Sequence, residues 1–127
     1  MLKKIGEALT DQRFKQAMTD TPLSNIYEFI TEAHANIQRD FSYIDPVVGV
    51  ITKMRTIGIQ ADAMTIDCLK TGKRILLIFH DDQPEVVNYQ FCLRDEDPAD
   101  DFESIPLKNV TSKQLYEWME LNFSTHH

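Results

Sequence analysis

The stretch Arg-Ile-Leu-Leu-Ile-Phe-His-Asp-Asp, residues 74 to 82, decides the fold. Five consecutive apolar side chains, Ile75, Leu76, Leu77, Ile78 and Phe79, run directly into His80, Asp81 and Asp82. A run this short, without alternation and bounded by turn residues, reads as a strand buried on both faces. Thr71-Gly72 supplies the turn before it, and residues 81 to 85, with Pro84, form a polar loop after it.

Working outward, residues 62 to 69 alternate, with Met64, Ile66 and Cys68 on one face and Thr65 and Asp67 on the other. That pattern predicts an edge strand. Residues 86 to 93 set Val87, Tyr89, Phe91 and Leu93 against Val86, Asn88, Gln90 and Cys92. Two short connections imply an antiparallel, three-stranded meander with residues 74 to 80 in the middle. If Ile75, Leu77 and Phe79 face the helices, Leu76 and Ile78 need cover from the last helix or from a second subunit.

Before the sheet the period is helical. Leu2, Ile5 and Leu9, then Phe14, Ala17 and Met18, predict one interrupted helix or two short ones. Thr21-Pro22 is a start signal, an N-cap followed by proline at the first helical position. It opens the clearest helix, carrying Leu23, Ile26, Tyr27, Ile30, Ala33, Ile37, Phe41 and Ile44 at spacings of three and four. Asp45-Pro46 ends it. Val47, Val50, Ile51, Met54 and Ile57 repeat at the helical period up to Gly58, where a left-handed cap is needed, so residues 46 to 57 are expected to be helical despite their β-branched content.

After residues 95 to 103, an acidic loop, Thr111-Ser112-Lys113-Gln114 forms a capping box for a last helix striped by Leu115, Trp118 and Met119 and widened by Tyr116 and Phe123. The fold expected is α+β, with about three N-terminal helices on a three-stranded antiparallel meander, a C-terminal helix, and a single domain over residues 1 to 127.

The 127 residues carry 13 Lys plus Arg against 20 Asp plus Glu, a net charge of −7. Phosphate backbones and anionic membranes are repelled at long range by such a balance, so neither nucleic acid nor membrane is an expected partner. The densest basic groupings, Lys3-Lys4 and residues 70 to 74, are too short to follow a polyanion. Cys68 and Cys92 have no second ligand at a metal-binding spacing and read as buried free thiols. With no signal-peptide h-region and no apolar run of membrane-span length, the expected compartment is the cytoplasm.

An imidazole with neighbouring carboxylates at a strand end suits general acid-base work, or a divalent cation, so His80 with Asp81 or Asp82 is the constellation on which a small hydrolase would rest. Adjacent strand residues face opposite ways, however, and Asp81-Asp82-Gln83-Pro84 is ordinary turn chemistry. His34, between Ala33 and Ile37 on the helix stripe, is the other candidate base, read first as a core histidine with one hydrogen bond. The acidic loop is not an EF-hand, since Asp100 stands where glycine is required and Pro106 where a bidentate Glu is required. No glycine-rich phosphate loop or nucleophile elbow occurs, and no cofactor or metal is expected.

The leading expectation is a small acidic binding protein without enzymatic activity, engaging a basic protein partner through Asp95, Glu96, Asp97, Asp100 and Asp101. An inhibitor or immunity protein against a basic toxin is one concrete form of this, on charge and size. Self-association, as a homodimer through the sheet face bearing Leu76 and Ile78, is another.

Overall fold

The stripe Ile26, Ile30, Ala33 and Ile37 is almost wholly withdrawn from water on helix α1 (Pro22–Asp40). Each of the three isoleucines contributes roughly 1.5–3 kcal/mol on burial, several times what a surface side-chain pair adds to a helix, so packing holds α1 in place. The computed structural model describes residues 22–124. The helices expected around Leu2, Ile5, Leu9, Phe14, Ala17 and Met18, the Thr21 cap and His126-His127 lie outside the described residues. The helix ends at Asp40, before Phe41 and Ile44, because Asp45-Pro46 pulls the chain out of the helical conformation. Ile44 stays buried from the loop.

Five strands follow: β1 (Val47–Ile51), β2 (Ala61–Cys68), β3 (Lys73–His80), β4 (Val86–Leu93) and β5 (Glu103–Pro106). They form one antiparallel sheet in sequence order. Helix α2 (Ser112–Phe123) closes the described chain. Half of its expected capping box is in place, Thr111 Oγ1 accepting the Gln114 N–H at 3.2 Å, while the Thr111 N–H donates to the Asn109 carbonyl at 3.1 Å. The architecture is α+β. In place of about three N-terminal helices and a three-stranded meander, the described residues hold one N-terminal helix, one C-terminal helix and a five-stranded sheet.

Three corrections follow from the sheet. Residues 46 to 57 are not a helix: Val47, Val48, Val50 and Ile51 form β1, and Lys53–Ile57 is a 3-10 turn with no buried residue. The stiff χ1 of β-branched side chains favours the extended backbone, and the ladder to β2 supplies that backbone with hydrogen bonds along Val47–Ile51. Gly58 does supply the left-handed cap, at φ 89°, although it ends that turn and not an α-helix. Residues 62 to 69 are not an edge, because β1 pairs along β2, every residue of which is buried. Glu103, assigned to the acidic loop, starts β5 instead, where its carboxylate accepts the Tyr89 hydroxyl at 2.9 Å.

β3 is the central strand, and its alternation matches expectation. Ile75, Leu77 and Phe79 join Met64, Ile66, Val48 and Val87 in the core with the buried residues of α1 and α2. Helix α2 packs on that face, its Trp118 stacked on Tyr89 with ring centroids 4.5 Å apart. It is tied to α1 by Tyr116 donating to Asp40 at 2.5 Å and Ser112 donating to Glu32 at 3.0 Å. Neither described helix crosses the opposite face. Leu76 there is 7% exposed and Ile78 half-buried.

Candidate functional site

The end of β3 sends His80 and Asp81 to opposite sides. His80 pairs with Ala61 and follows the parity of Leu76 and Ile78, on the face away from the helices. Asp81 follows Phe79 instead, and it meets a residue that no sequence pattern connects to it, Arg55 of the 3-10 turn. The Arg55 guanidinium is bidentate twice over, to Asp81 at 2.7 and 2.8 Å and to Asp62 at 2.9 Å through both nitrogens. Five fixed donors in a planar fork suit two carboxylates at once. Arg55 beside it holds the Asp81 carboxyl below the usual carboxylate range, which makes it a charge partner and a poor proton acceptor. Asp82 is exposed beyond this clamp.

His34 lies on the helix side of the sheet, away from His80. It is 9% exposed, and its Nε2 lies 3.6 Å from Asp45 Oδ1, too far for a hydrogen bond, and has no other partner among the described residues. Burial pushes the imidazole below its ordinary value of 6.5, against opposing pulls from Asp45 and the Pro46 backbone. The folded state therefore binds this proton less readily than the unfolded chain does. Its contribution is complete above the ordinary value and is lost as pH falls below it toward the depressed folded value. The urea midpoint is expected to fall between about pH 7.5 and about pH 5.5, and less steeply in His34→Gln; identical slopes in the two proteins would contradict this.

The acidic loop after β4 is docked. Buried Gln90 donates through Nε2 to the carbonyls of Ala99 at 2.9 Å and Asp101 at 2.7 Å, and its Oε1 accepts the Ala99 N–H at 3.0 Å. One side chain thereby fixes both directions of a short backbone stretch over the face away from the helices. Asp95, Glu96, Asp97, Asp100 and Asp101 are exposed around it, and none of their carboxylates has a side-chain hydrogen bond or ion pair among the described residues, although Asp95 lies within electrostatic reach of Arg74. By contrast, the two carboxylates of β2, Asp62 and Asp67, are paired with arginines. Buried Asp67 receives Arg74 at 2.7 and 2.9 Å, with Arg94 at 3.8 Å.

Two open clefts flank Pro84 to Val86. One, of about 690 Å3, lies between the start of α1 at Asn25, Ile26 and Phe29 and the chain at Pro106 and Leu107. The other, of about 540 Å3, is lined by Asp82, Gln83 and Ser104. Neither His34 nor His80 lines either of them. Among the described residues no group of three or more His, Cys, Asp or Glu side chains is arranged to hold a metal ion, and no described helix is long and apolar enough to cross a membrane.

Comparison with models of known protein families, with curated proteins and with solved structures returns no match.

The sequence candidates thus fall apart in space. His80, Asp81 and His34 point to three different environments, while the five loop carboxylates share one anchored segment. The residues missed were Arg55 and Gln90. Arg55 is 26 positions from Asp81 and lay in a segment expected to be a helix. Gln90 was visible only as the polar member of an alternating strand.

Proposed function

We propose that the chain is a cytoplasmic binding protein without catalytic activity, and that its acidic loop is the surface that engages a basic protein partner. One observation carries this reading: Gln90 holds the loop backbone at Ala99 and Asp101, while five carboxylates around it stand exposed without an ion pair among the described residues. The arginines at the loop's root face Asp67, with Arg74 bound to its carboxylate at 2.7 Å and Arg94 lying 3.8 Å from it. Charges held in place and left unpaired raise the encounter rate with a cationic surface, more than they raise affinity. A preorganised loop also avoids part of the ordering cost of binding. The free thiols Cys68 and Cys92 agree with a reducing compartment.

The test compares the natural protein with a variant carrying Asp95→Asn, Glu96→Gln, Asp97→Asn, Asp100→Asn and Asp101→Asn. Basic proteins captured from cell extract at low salt are expected to be lost on raising the salt, because surface charges are screened beyond about 8 Å at physiological ionic strength. For a captured partner, association with the neutralised variant is expected to slow about 10- to 100-fold at low salt, with dissociation little changed. Capture of no basic protein at either salt, or equal association by both proteins, would overturn the reading.

A further inference from the structure

Among the described residues the sheet has two unlike edges. β5 is four residues long and carries Glu103 and Pro106, a charge and a missing N–H of the kind that blunt an edge against further pairing. β1 is Val-Val-Gly-Val-Ile, with no charge and no proline. Its ladder runs to β2 alone, and among the described residues no hydrogen bond reaches its outer side. Unpaired backbone donors and acceptors on an apolar strand form a template for another strand.

We propose that β1 pairs with β1 of a second copy of this chain, antiparallel about a two-fold axis at Gly49, so that one continuous sheet runs through both copies. The strand is self-complementary in that register. Val47 stands opposite Ile51 and Val48 opposite Val50, cross-strand pairs of β-branched side chains that stabilise antiparallel ladders. Gly49 meets Gly49 at the axis, where no side chain obstructs the approach. Pro46, which has no N–H to donate, stops the ladder. Just beyond, Asp45 of each copy comes beside Lys53 of the other. Both are exposed, and the Lys53 side chain has no partner among the described residues. The two-fold axis makes this opposite-charge contact twice, as an isologous interface requires. An unrelated strand would satisfy the backbone equally well, but the chain's own strand brings complementary charges at both ends.

Light scattering on the full chain over a range of concentrations tests this. The expected mass rises toward twice the 14.7 kDa of one chain. Lys53→Asp and Asp45→Lys are each expected to raise the dimer dissociation constant about tenfold, since each replaces two surface attractions by repulsions, and the double variant is expected to recover the natural value. Asp45 also contacts Gln38 and His34, so Lys53→Asp and hydrogen exchange provide readouts that do not depend on those contacts. The amides of residues 47 to 51 are expected to gain protection as concentration rises. A mass of one chain at every concentration, a dimer indifferent to Lys53→Asp, or β1 amides whose exchange ignores concentration overturns the proposal.

Discussion

Leu77→Ala is expected to lower the unfolding free energy by about 3–5 kcal/mol, the largest single effect anticipated for this protein. Leu77 is fully buried on the central strand, opposite Met64 on β2 and Tyr89 on β4, beneath the helices. Truncation removes the transfer free energy of the side chain and leaves a void. The void cannot readily close, because strands hydrogen-bonded on both sides hold the backbone in place. Ile78→Ala, one residue along and half-buried on the other face, is expected to cost about 1 kcal/mol, nearer the typical single substitution. Urea unfolding of the two variants measures the difference. Equal costs would mean that the helix-covered face is not the principal core.

The second large effect is expected at Arg74. Arg74→Ala leaves the Asp67 carboxylate, whose side chain is 8% exposed, without its bidentate partner. Removing one member of a buried ion pair costs far more than the pair itself is worth, because the remaining charge is desolvated without compensation. A fully enclosed pair would lose 3–5 kcal/mol on that argument; Arg74 is about a quarter exposed and Arg94 is 3.8 Å from Asp67, so about 2–3 kcal/mol is expected. The double change Arg74→Met with Asp67→Leu is expected to recover most of this loss by replacing charge with apolar contact. Chemical denaturation checks both. If Arg74→Ala costs no more than a surface ion pair, under about 1 kcal/mol, the pair does not restrain the sheet.

The strand identity of residues 86 to 93 was legible because Val87, Tyr89 and Leu93 alternate with polar neighbours, and alternation is local. The helical stripe from Ile26 to Ile37 and the Thr111 cap were legible for the same reason. Residues 47 to 57 were not. Their apolar spacing fits a helix on paper, and only pairing with β2 made the extended form of β1 the better state. β5 left almost no signal, since four residues including Glu103 and Pro106 carry no periodicity.

The candidate site was read only in part. The five loop carboxylates were visible as a run of like charge. What fixes the run, the Gln90 amide, could not be assigned from an alternating strand that offers Asn88 and Gln90 equally. His80, Asp81 and Asp82 read as one cluster because they are adjacent, and the pleat separates them. Asp81 then finds its partner in Arg55, which no spacing rule connects to it.

The sequence by itself determined the net charge, the central apolar strand and its two neighbours, the long α1 stripe and the start of α2, each written in residues a few positions apart. The tertiary structure alone decided that β1 and β5 extend the sheet, that Arg55 ties the β3 exit to Asp62, and that Gln90 carries the acidic loop. These depend on contacts between groups far apart along the chain. Their free energy arises only once the backbone has closed the distance and excluded water, so no local pattern records it.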